Sequence, residues 1–261
     1  EGFAGETLKF LSLEDDALPE LGPEYLRLVN RNASHTSITE DDDYKNMLLI
    51  NNRFIFDWSE KAGCTVVCKM VFEEMGLMTN ALAYSDWIHD FREDLFYGQY
   101  GRVTRDMFES GNYTRIKFVR NPYTRIVSSY FAAHENNKRF LNGHRKKDLS
   151  FYDFLSLIQQ GALLNPHWRR QFKDLESKTP FDEIIQIEDL EKNIEKVNEK
   201  YSASLSPVFN SPHHKNKDRH SNAFVGNRPY SSFIDPHKSI PNYRNFYNDD
   251  IRSLVAEIYE E

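Results

Sequence analysis

The chain has 261 residues, enough for one large α/β domain or two small ones with a sizeable core. Its 39% hydrophobic and 14% aromatic content argues for a folded, enzyme-like globule rather than a disordered chain. A formal net charge of −7 argues against a dedicated nucleic-acid binder, and no stretch approaches the roughly 20 apolar residues of a membrane span.

Residues 1–50 read as an acidic N-terminal arm, with 11 Asp/Glu against 4 Lys/Arg over residues 1–45. A short helix is expected near 23–31, and TEDDD at 39–43 as a solvated loop. The start lacks the basic residues and apolar run of a signal peptide. It also lacks Met, so an anchor removed from the front stays open.

Residues 51–261 read as one domain. RFIFDW (53–58) is a β-rich apolar run, predicted as a strand, and SEKAGCT is a turn of small residues. TVVCKMVFEEMG (65–76) is predicted as a helix ended by Gly76, with Val66, Val67, Met70 and Met75 inward. The aromatic-rich stretch 82–110 reads as helix and loop. TRIKFV (114–119) is the next strand, RNPY a turn, and 124–136 a helix opened by Pro122.

KRFLNGHRKK (138–147) reads as a basic exposed loop, and 151–161 and 167–175 as amphipathic helices. DEIIQI (182–187) is a third strand, 188–201 an exposed helix, and 205–245 a long polar stretch of a length that is functional or disordered. A helix over 249–261 closes the chain. Strands alternating with helices predict an α/β fold: a single domain with a central, mainly parallel sheet flanked by helices.

The two cysteines, Cys64 and Cys68, sit four apart on a predicted helix, where a disulfide across one turn has poor geometry. They read as reduced thiols, which suits a reducing compartment. N-x-S/T sequons at Asn32 and Asn112 arise easily by chance and weigh little against this.

A strand that runs through a small-residue loop into a helix is a ready anion site, because loop and helix-start N–H groups point at the ligand. Lys61 adds a point charge, Gly63 allows close backbone approach, and Thr65 can cap the helix and donate to an oxygen. Lys61 precedes Gly63, unlike the order G-x-x-x-x-G-K-[ST] that holds a metal–triphosphate. A smaller, metal-free anion fits better.

The second strand-to-helix turn, FVRNPYTRIVSSY (118–130), supplies Arg120 at a strand's carboxyl end. Arg125 and Ser128 follow one helical turn apart, spaced to face the same side. Both turns belong at the carboxyl ends of the strands, where parallel α/β sheets bind ligands.

These motifs resemble the sulfotransferases. EKAGCT (60–65) is similar to their 5′-phosphosulfate loop, and FVRNPYTRIVSSY to their 3′-phosphate motif, with Asn121 where Asp is usual. NPHWRRQ (165–171), DEIIQIEDLEKN (182–193), HHKNKDRH (213–220) and residues 242–261 resemble segments of the carbohydrate branch. That branch, of the sulfotransferase family 2 type, includes the chondroitin and HNK-1 enzymes and bacterial relatives.

The resemblance implies a P-loop-like phosphosulfate site. It also implies transfer of a sulfuryl group from 3′-phosphoadenosine-5′-phosphosulfate (PAPS), without a metal, to a carbohydrate hydroxyl on an oligosaccharide, polysaccharide or glycolipid. Lys61 is implied at the bridging oxygen and leaving phosphate. Ala62, Gly63, Cys64 and Thr65, with Val66 behind them, would wrap the 5′-phosphate. Arg120 and Ser128, joined by Arg125, would hold the 3′-phosphate, and Lys215 and Lys217 lie in the late basic loop. The late cysteines of animal Golgi members are absent, which favours a bacterial-like cytoplasmic protein over a Golgi-lumenal one that has lost its anchor.

The acceptor hydroxyl needs a general base. His167, at the start of a predicted helix, ranks first, with His89 and Glu60 as alternatives. The loop 213–220 reads equally as a cover over the nucleotide or as solvated basic residues. A Mg²⁺-dependent nucleotide kinase and an inactive glycan-binding relative are the competing functions.

Overall fold

The computed structural model describes residues 44–135, 148–207, 223–233 and 241–259. The predicted helix near 23–31, the loop 138–147 and the loop 213–220 with Lys215 and Lys217 lie outside the described residues.

A four-stranded sheet in the order β1-β2-β3-β4 organises the fold. Strand β1 is Met47–Ile50, β2 Phe54–Trp58, β3 Thr114–Val119 and β4 Glu183–Gln186. β2, β3 and β4 are mutually parallel and β1 is antiparallel to β2. The chain is therefore α/β as its sequence predicts, with helices flanking a mainly parallel sheet.

β1 departs from the sequence reading, which gave these residues to the arm. Its register with β2 is set by a tight turn in which Asn51 and Asn52 take φ of 48° and 50°. The Arg53 amide closes the turn on Ile50 O at 2.9 Å. Asparagine tolerates the left-handed region this turn requires. The sheet thus begins before residue 51.

Helices α1 (Cys64–Glu74), α2 (Met78–Tyr84) and α3 (Ile88–Phe91) follow β2, and a π-turn over Arg92–Phe96 leads into α4 (Tyr97–Tyr100). The side chains of α1 turned to the core are Val67, Cys68, Met70, Val71 and Phe72. Val66 and Met75 are only half-buried. Phe56 and Phe118 meet edge to face at 5.1 Å on this side of the sheet, beside Leu48, Trp58, Ile116 and Ile185. Such a pair adds roughly 0.5–1.5 kcal/mol beyond its burial.

α5 (Arg105–Glu109) precedes β3, and α6 (Pro122–Glu135) follows it. The opposite sheet face buries Met47 and Ile55 against Val103, Phe108 and Leu175. A second core joins α6 to α7 (Phe151–Gln159) and α9 (Asp249–Tyr259) through Tyr130, Phe151, Phe154, Trp168, Phe246 and Val255. Ser150 and Asp153 form a capping box at the start of α7. α8 (Leu190–Tyr201) packs Leu190, Ile194 and Val197 onto the first core.

The helix expected over 167–175 does not form. Residues Pro166–Trp168 and Asp174–Ser177 make separate 3₁₀ turns. The carbonyls from Pro166 to Gln171 are used by core side chains instead. Pro166 O and Arg169 O accept from Arg125, His167 O from Ser129, Trp168 O from Tyr259 and Gln171 O from Lys117. Carbonyls committed this way are not available to a helix. Among the described residues, no helix is long and apolar enough to cross a membrane.

Candidate active site

Beyond Trp58 the chain turns at once, with the Ala62 amide donating to Ser59 O at 3.0 Å. Lys61 holds φ at 63° and Gly63 at 83°. A positive φ at a non-glycine residue is uncommon, and such positions cluster where ligands are clamped. Gly63 is the N-cap of α1, and no side chain among the described residues caps the helix.

The first bond of the helix ladder runs from Val67 N–H to Gly63 O at 3.0 Å. The amides of Cys64, Thr65 and Val66 thus precede the ladder, at the positive end of the helix dipole. A Cβ on residue 63 would lie 3.2 Å from Ile187 Cγ2. The positive φ therefore favours glycine here, and the Ile187 side chain would have to give way to any Cβ.

Thr65 turns its hydroxyl to His89 rather than to a capping position: Oγ1 lies 3.4 Å from Nε2. The other ring nitrogen of His89 lies 3.8 Å from Cys68 Sγ. Burial, then the charges of Arg92 and Lys61, push the His89 pKa down to about 3. Its ring is neutral at ordinary pH and packs beneath the loop. Cys64 and Cys68 are free thiols, and burial pushes the Cys68 thiol up to about 12.

The second turn locks onto the first. Arg120 donates from Nη1 to Lys61 O at 3.1 Å and from Nε to Thr124 Oγ1 at 3.1 Å. This bond braces the left-handed backbone of Lys61. Asn121 takes the capping role at the start of α6, its Oδ1 accepting from the Tyr123 amide at 2.9 Å. Glu188 Oε1 accepts from the Asn121 amide and the Thr124 hydroxyl, both at 3.0 Å. Ser128 lies half-buried further along α6.

Burial drives the Lys61 ammonium below its ordinary pKa, against the pull of Cys64 and Glu135, and Arg120 adds repulsion. Burial also lowers Arg120, with Glu188 opposing. Two partly desolvated cations beside a helix N-terminus are an arrangement that an anion relieves.

Arg125 corrects the expectation drawn from its spacing. It is 1% exposed, and its guanidinium donates to Glu60 O at 2.8 Å, Arg169 O at 2.7 Å and Pro166 O at 3.3 Å. Its fork is used on these three backbone carbonyls. It ties α6 to the Lys61 loop and to residues 166–169.

His167 stands on that tied segment. Asn165 Oδ1 accepts from the His167 amide at 3.0 Å and lies 2.7 Å from Nδ1. The amide needs an acceptor, which fixes the Asn165 oxygen toward the ring, so Nδ1 carries the proton and Nε2 the lone pair. Burial lowers the His167 pKa to about 4; Glu60 opposes this, while Lys61, Arg125 and Lys45 reinforce it. The ring therefore lies within electrostatic reach of both Glu60 and Lys61. Glu60 itself accepts from Asn46 Nδ2 at 3.1 Å.

The structure thus brings together Lys61, Ala62, Gly63, Cys64, Thr65, Arg120 and His167. Sequence reasoning missed Gln171, Glu188, Asn165 and Ser129, which position these groups. Gln171 and Asn165 stand inside the NPHWRRQ segment, but nothing in their identity reveals which backbone they hold.

No curated protein and no solved structure matches the chain. The sulfotransferase family model matches residues 79–261, well over half the chain. The match takes in Arg120, Ser128 and His167 and begins after the Lys61 loop. With the second turn inside the matched region and the first tied to it through Arg120, the chain belongs to the sulfotransferase family.

Proposed function

We propose that this sulfotransferase moves a sulfuryl group from PAPS to a carbohydrate hydroxyl. The observation that carries this reading is the Arg120–Lys61 link, which sets two cations and the uncapped start of α1 around one small site. The residues present fit a 3′-phosphorylated phosphosulfate. The amides from Ala62 to Val66 suit a 5′-phosphate, and Arg120 with Ser128 suits the 3′-phosphate. PAPS supplies the activated sulfuryl group when bound.

In this reading Lys61 neutralises charge that builds at the bridging oxygen as the S–O bond breaks. Its lowered pKa makes it able to give a proton as well as to carry charge. His167 accepts the proton of the acceptor hydroxyl at Nε2, held in that tautomer by Asn165. It is preferred over His89, which sits beneath Thr65, and over Glu60, which is held by Asn46. Arg125 acts as a brace, and Lys215 and Lys217 contact the donor in the reading in which the loop 213–220 covers the nucleotide. Two free thiols go with a reducing, cytoplasmic setting.

Calorimetry with adenosine 3′,5′-bisphosphate and with ATP–Mg²⁺ tests the donor. The bisphosphate should bind the wild type and lose at least about tenfold in affinity in Lys61→Ala, Arg120→Ala and Ser128→Ala. Binding of ATP–Mg²⁺ alone, or bisphosphate binding indifferent to Arg120 and Ser128, rejects the reading.

A further inference from the structure

His89 is buried beneath the Lys61 loop and has no part in the chemistry above. It stands on α3, which packs on α1 through Phe91 and Phe72, their rings 5.2 Å apart. Its two ring nitrogens face two side chains of α1 that share a helix face. Nε2 lies 3.4 Å from Thr65 Oγ1, and Nδ1 lies 3.8 Å from Cys68 Sγ. The Trp87 ring packs on the His89 ring at 4.9 Å. The Trp87 amide donates to Ser85 Oγ at 3.0 Å, and the Ser85 hydroxyl donates to Asp90 Oδ2 at 2.7 Å. The turn that carries both rings is thereby fixed.

A neutral imidazole has one donor and one acceptor nitrogen, and its neighbours decide which is which. Burial keeps Cys68 a thiol, so its sulfur carries a hydrogen. Arg92 acts on that sulfur both as a charge and as a hydrogen-bond donor. The sulfur therefore receives from Arg92 and has its S–H to give, which makes Nδ1 the acceptor. Nε2 then carries the ring hydrogen and donates to Thr65 Oγ1. A hydroxyl that receives a hydrogen bond from a histidine keeps its own hydrogen for another partner. Thr65 is the second residue of α1 and half-buried, among the amides that precede the helix ladder. Its free hydrogen is placed for whatever anion those amides hold.

We infer that Arg92, Cys68, His89 and Thr65 form a relay of hydrogen-bond donors aimed at the 5′-phosphate of the bound nucleotide, with His89 the positioning residue that reserves the Thr65 hydroxyl for it. The inference rests on the donor reading above and adds to it the residues that orient one of its donors. The order is Arg92 to Cys68 Sγ, Cys68 S–H to His89 Nδ1, His89 Nε2–H to Thr65 Oγ1, and Thr65 O–H to a phosphate oxygen. No proton is transferred along it. Every bond points the same way, so each polarises the next, and the far end carries a guanidinium charge. Both ring contacts are long in the free protein, which leaves room to shorten when an anion draws on Thr65. The opposite tautomer would take the Thr65 hydrogen for Nε2 and turn only oxygen lone pairs to the phosphate.

The first test is the long-range ¹H–¹⁵N spectrum of the full chain labelled at its histidine nitrogens, with and without adenosine 3′,5′-bisphosphate. The His89 signals are assigned by their loss in His89→Gln. Nε2 should be protonated and Nδ1 unprotonated in the free protein, and the hydrogen on Nε2 should move downfield when the nucleotide binds. A protonated Nδ1 overturns the inference whether or not the nucleotide binds.

The second test is calorimetry with the same nucleotide. Thr65→Val removes the hydroxyl at nearly constant shape and should weaken binding about tenfold. His89→Phe should cost a similar factor, and the double variant no more than either alone. His89→Gln keeps a side-chain N–H for Thr65 and should recover most of the affinity. Additive losses, or a His89→Gln as weak as His89→Phe, would assign the ring a packing role only and overturn the relay. Should His89→Phe fail to fold, full affinity in Thr65→Val overturns it equally. Absence of bisphosphate binding in the wild type would instead reject the donor reading, a failure distinct from a wrong tautomer.

Discussion

Gln171 and Arg120 exchange two hydrogen bonds. The Arg120 amide donates to Gln171 Oε1 at 2.8 Å, and Gln171 Nε2 donates to Arg120 O at 2.7 Å. A side-chain amide here pairs with the backbone just past β3 as a neighbouring strand would. Arg120 in turn holds Lys61 O, so Gln171 supports both cations of the proposed donor site from the tied segment.

Gln171→Glu keeps the acceptor and turns the donor into a carboxylate facing Arg120 O. Losing the bond and adding repulsion should cost on the order of 1–3 kcal/mol of stability. Affinity for adenosine 3′,5′-bisphosphate should fall with it, by about tenfold. Unchanged affinity alongside reduced stability would separate Gln171 from the donor site.

Arg125 and Arg120 should respond oppositely to replacement by lysine. Arg125→Lys leaves one buried ammonium where a fork reached three carbonyls, and should cost roughly 2–4 kcal/mol in urea unfolding. Arg120→Lys should leave the midpoint nearly unchanged and lower bisphosphate affinity. Equal losses of affinity with no loss of stability would return Arg125 to the ligand.

The contrast between these two arginines shows where sequence reasoning stops. Spacing correctly set Arg125 and Ser128 on one turn of a helix, but it does not give the rotation of that helix against the core. The partners of Arg125 are Glu60, Pro166 and Arg169, distant along the chain, so its burial is a tertiary fact. Strands β2, β3 and β4 were legible because dense apolar runs were bounded by turn residues. β1 was hidden by the acidic residues before it, although Asn51-Asn52 between MLLI and RFIFDW is a hairpin signal. The stretch 167–175 carried helical spacing, but its carbonyls were claimed by side chains from elsewhere.

Gly63→Ala should be costly for two separate reasons. The left-handed backbone charges an alanine roughly 1–2 kcal/mol, and its Cβ also presses on Ile187. Trimming Ile187 to alanine in the same chain should relieve the contact without restoring stability, because the backbone cost stays. Full rescue by Ile187→Ala in thermal unfolding would show that φ at residue 63 is not the constraint.

Asp57 gives a pH dependence of unusual sign. Burial pushes its pKa up from 3.8 to about 6, against the charge and hydrogen bond of Lys173. Its Oδ2 has no hydrogen-bond partner among the described residues. A carboxyl with a raised folded pKa contributes stability that is fully present below its unfolded value near 3.8. That contribution is lost as pH rises through about 6.

Asp57→Asn imitates the protonated form, so it should match the wild type near pH 4. Above pH 7 it should exceed the wild type by on the order of 1–3 kcal/mol, although an ion pair has been removed. Urea unfolding of both proteins at the two pH values decides this. Destabilisation by Asp57→Asn at neutral pH would mean that the Lys173 pair outweighs the burial cost.

His167 should show its environment in the pH–rate profile. The base must be unprotonated, and burial holds its pKa near 4 in the free protein. The acid limb of kcat/KM assigned to it should therefore fall near pH 4 and not near 6.5. The limb of kcat should lie higher, because an anionic donor beside Lys61 offsets the cations that oppose imidazolium. His167→Gln should lower kcat by about 10²–10⁴-fold and remove the limb, leaving bisphosphate affinity as it was. Asn165→Asp should move the limb upward, since a carboxylate at Nδ1 stabilises the charged ring. A limb that stays in place in both variants would pass the base role to another residue, and His89, next to the same loop, would be examined first.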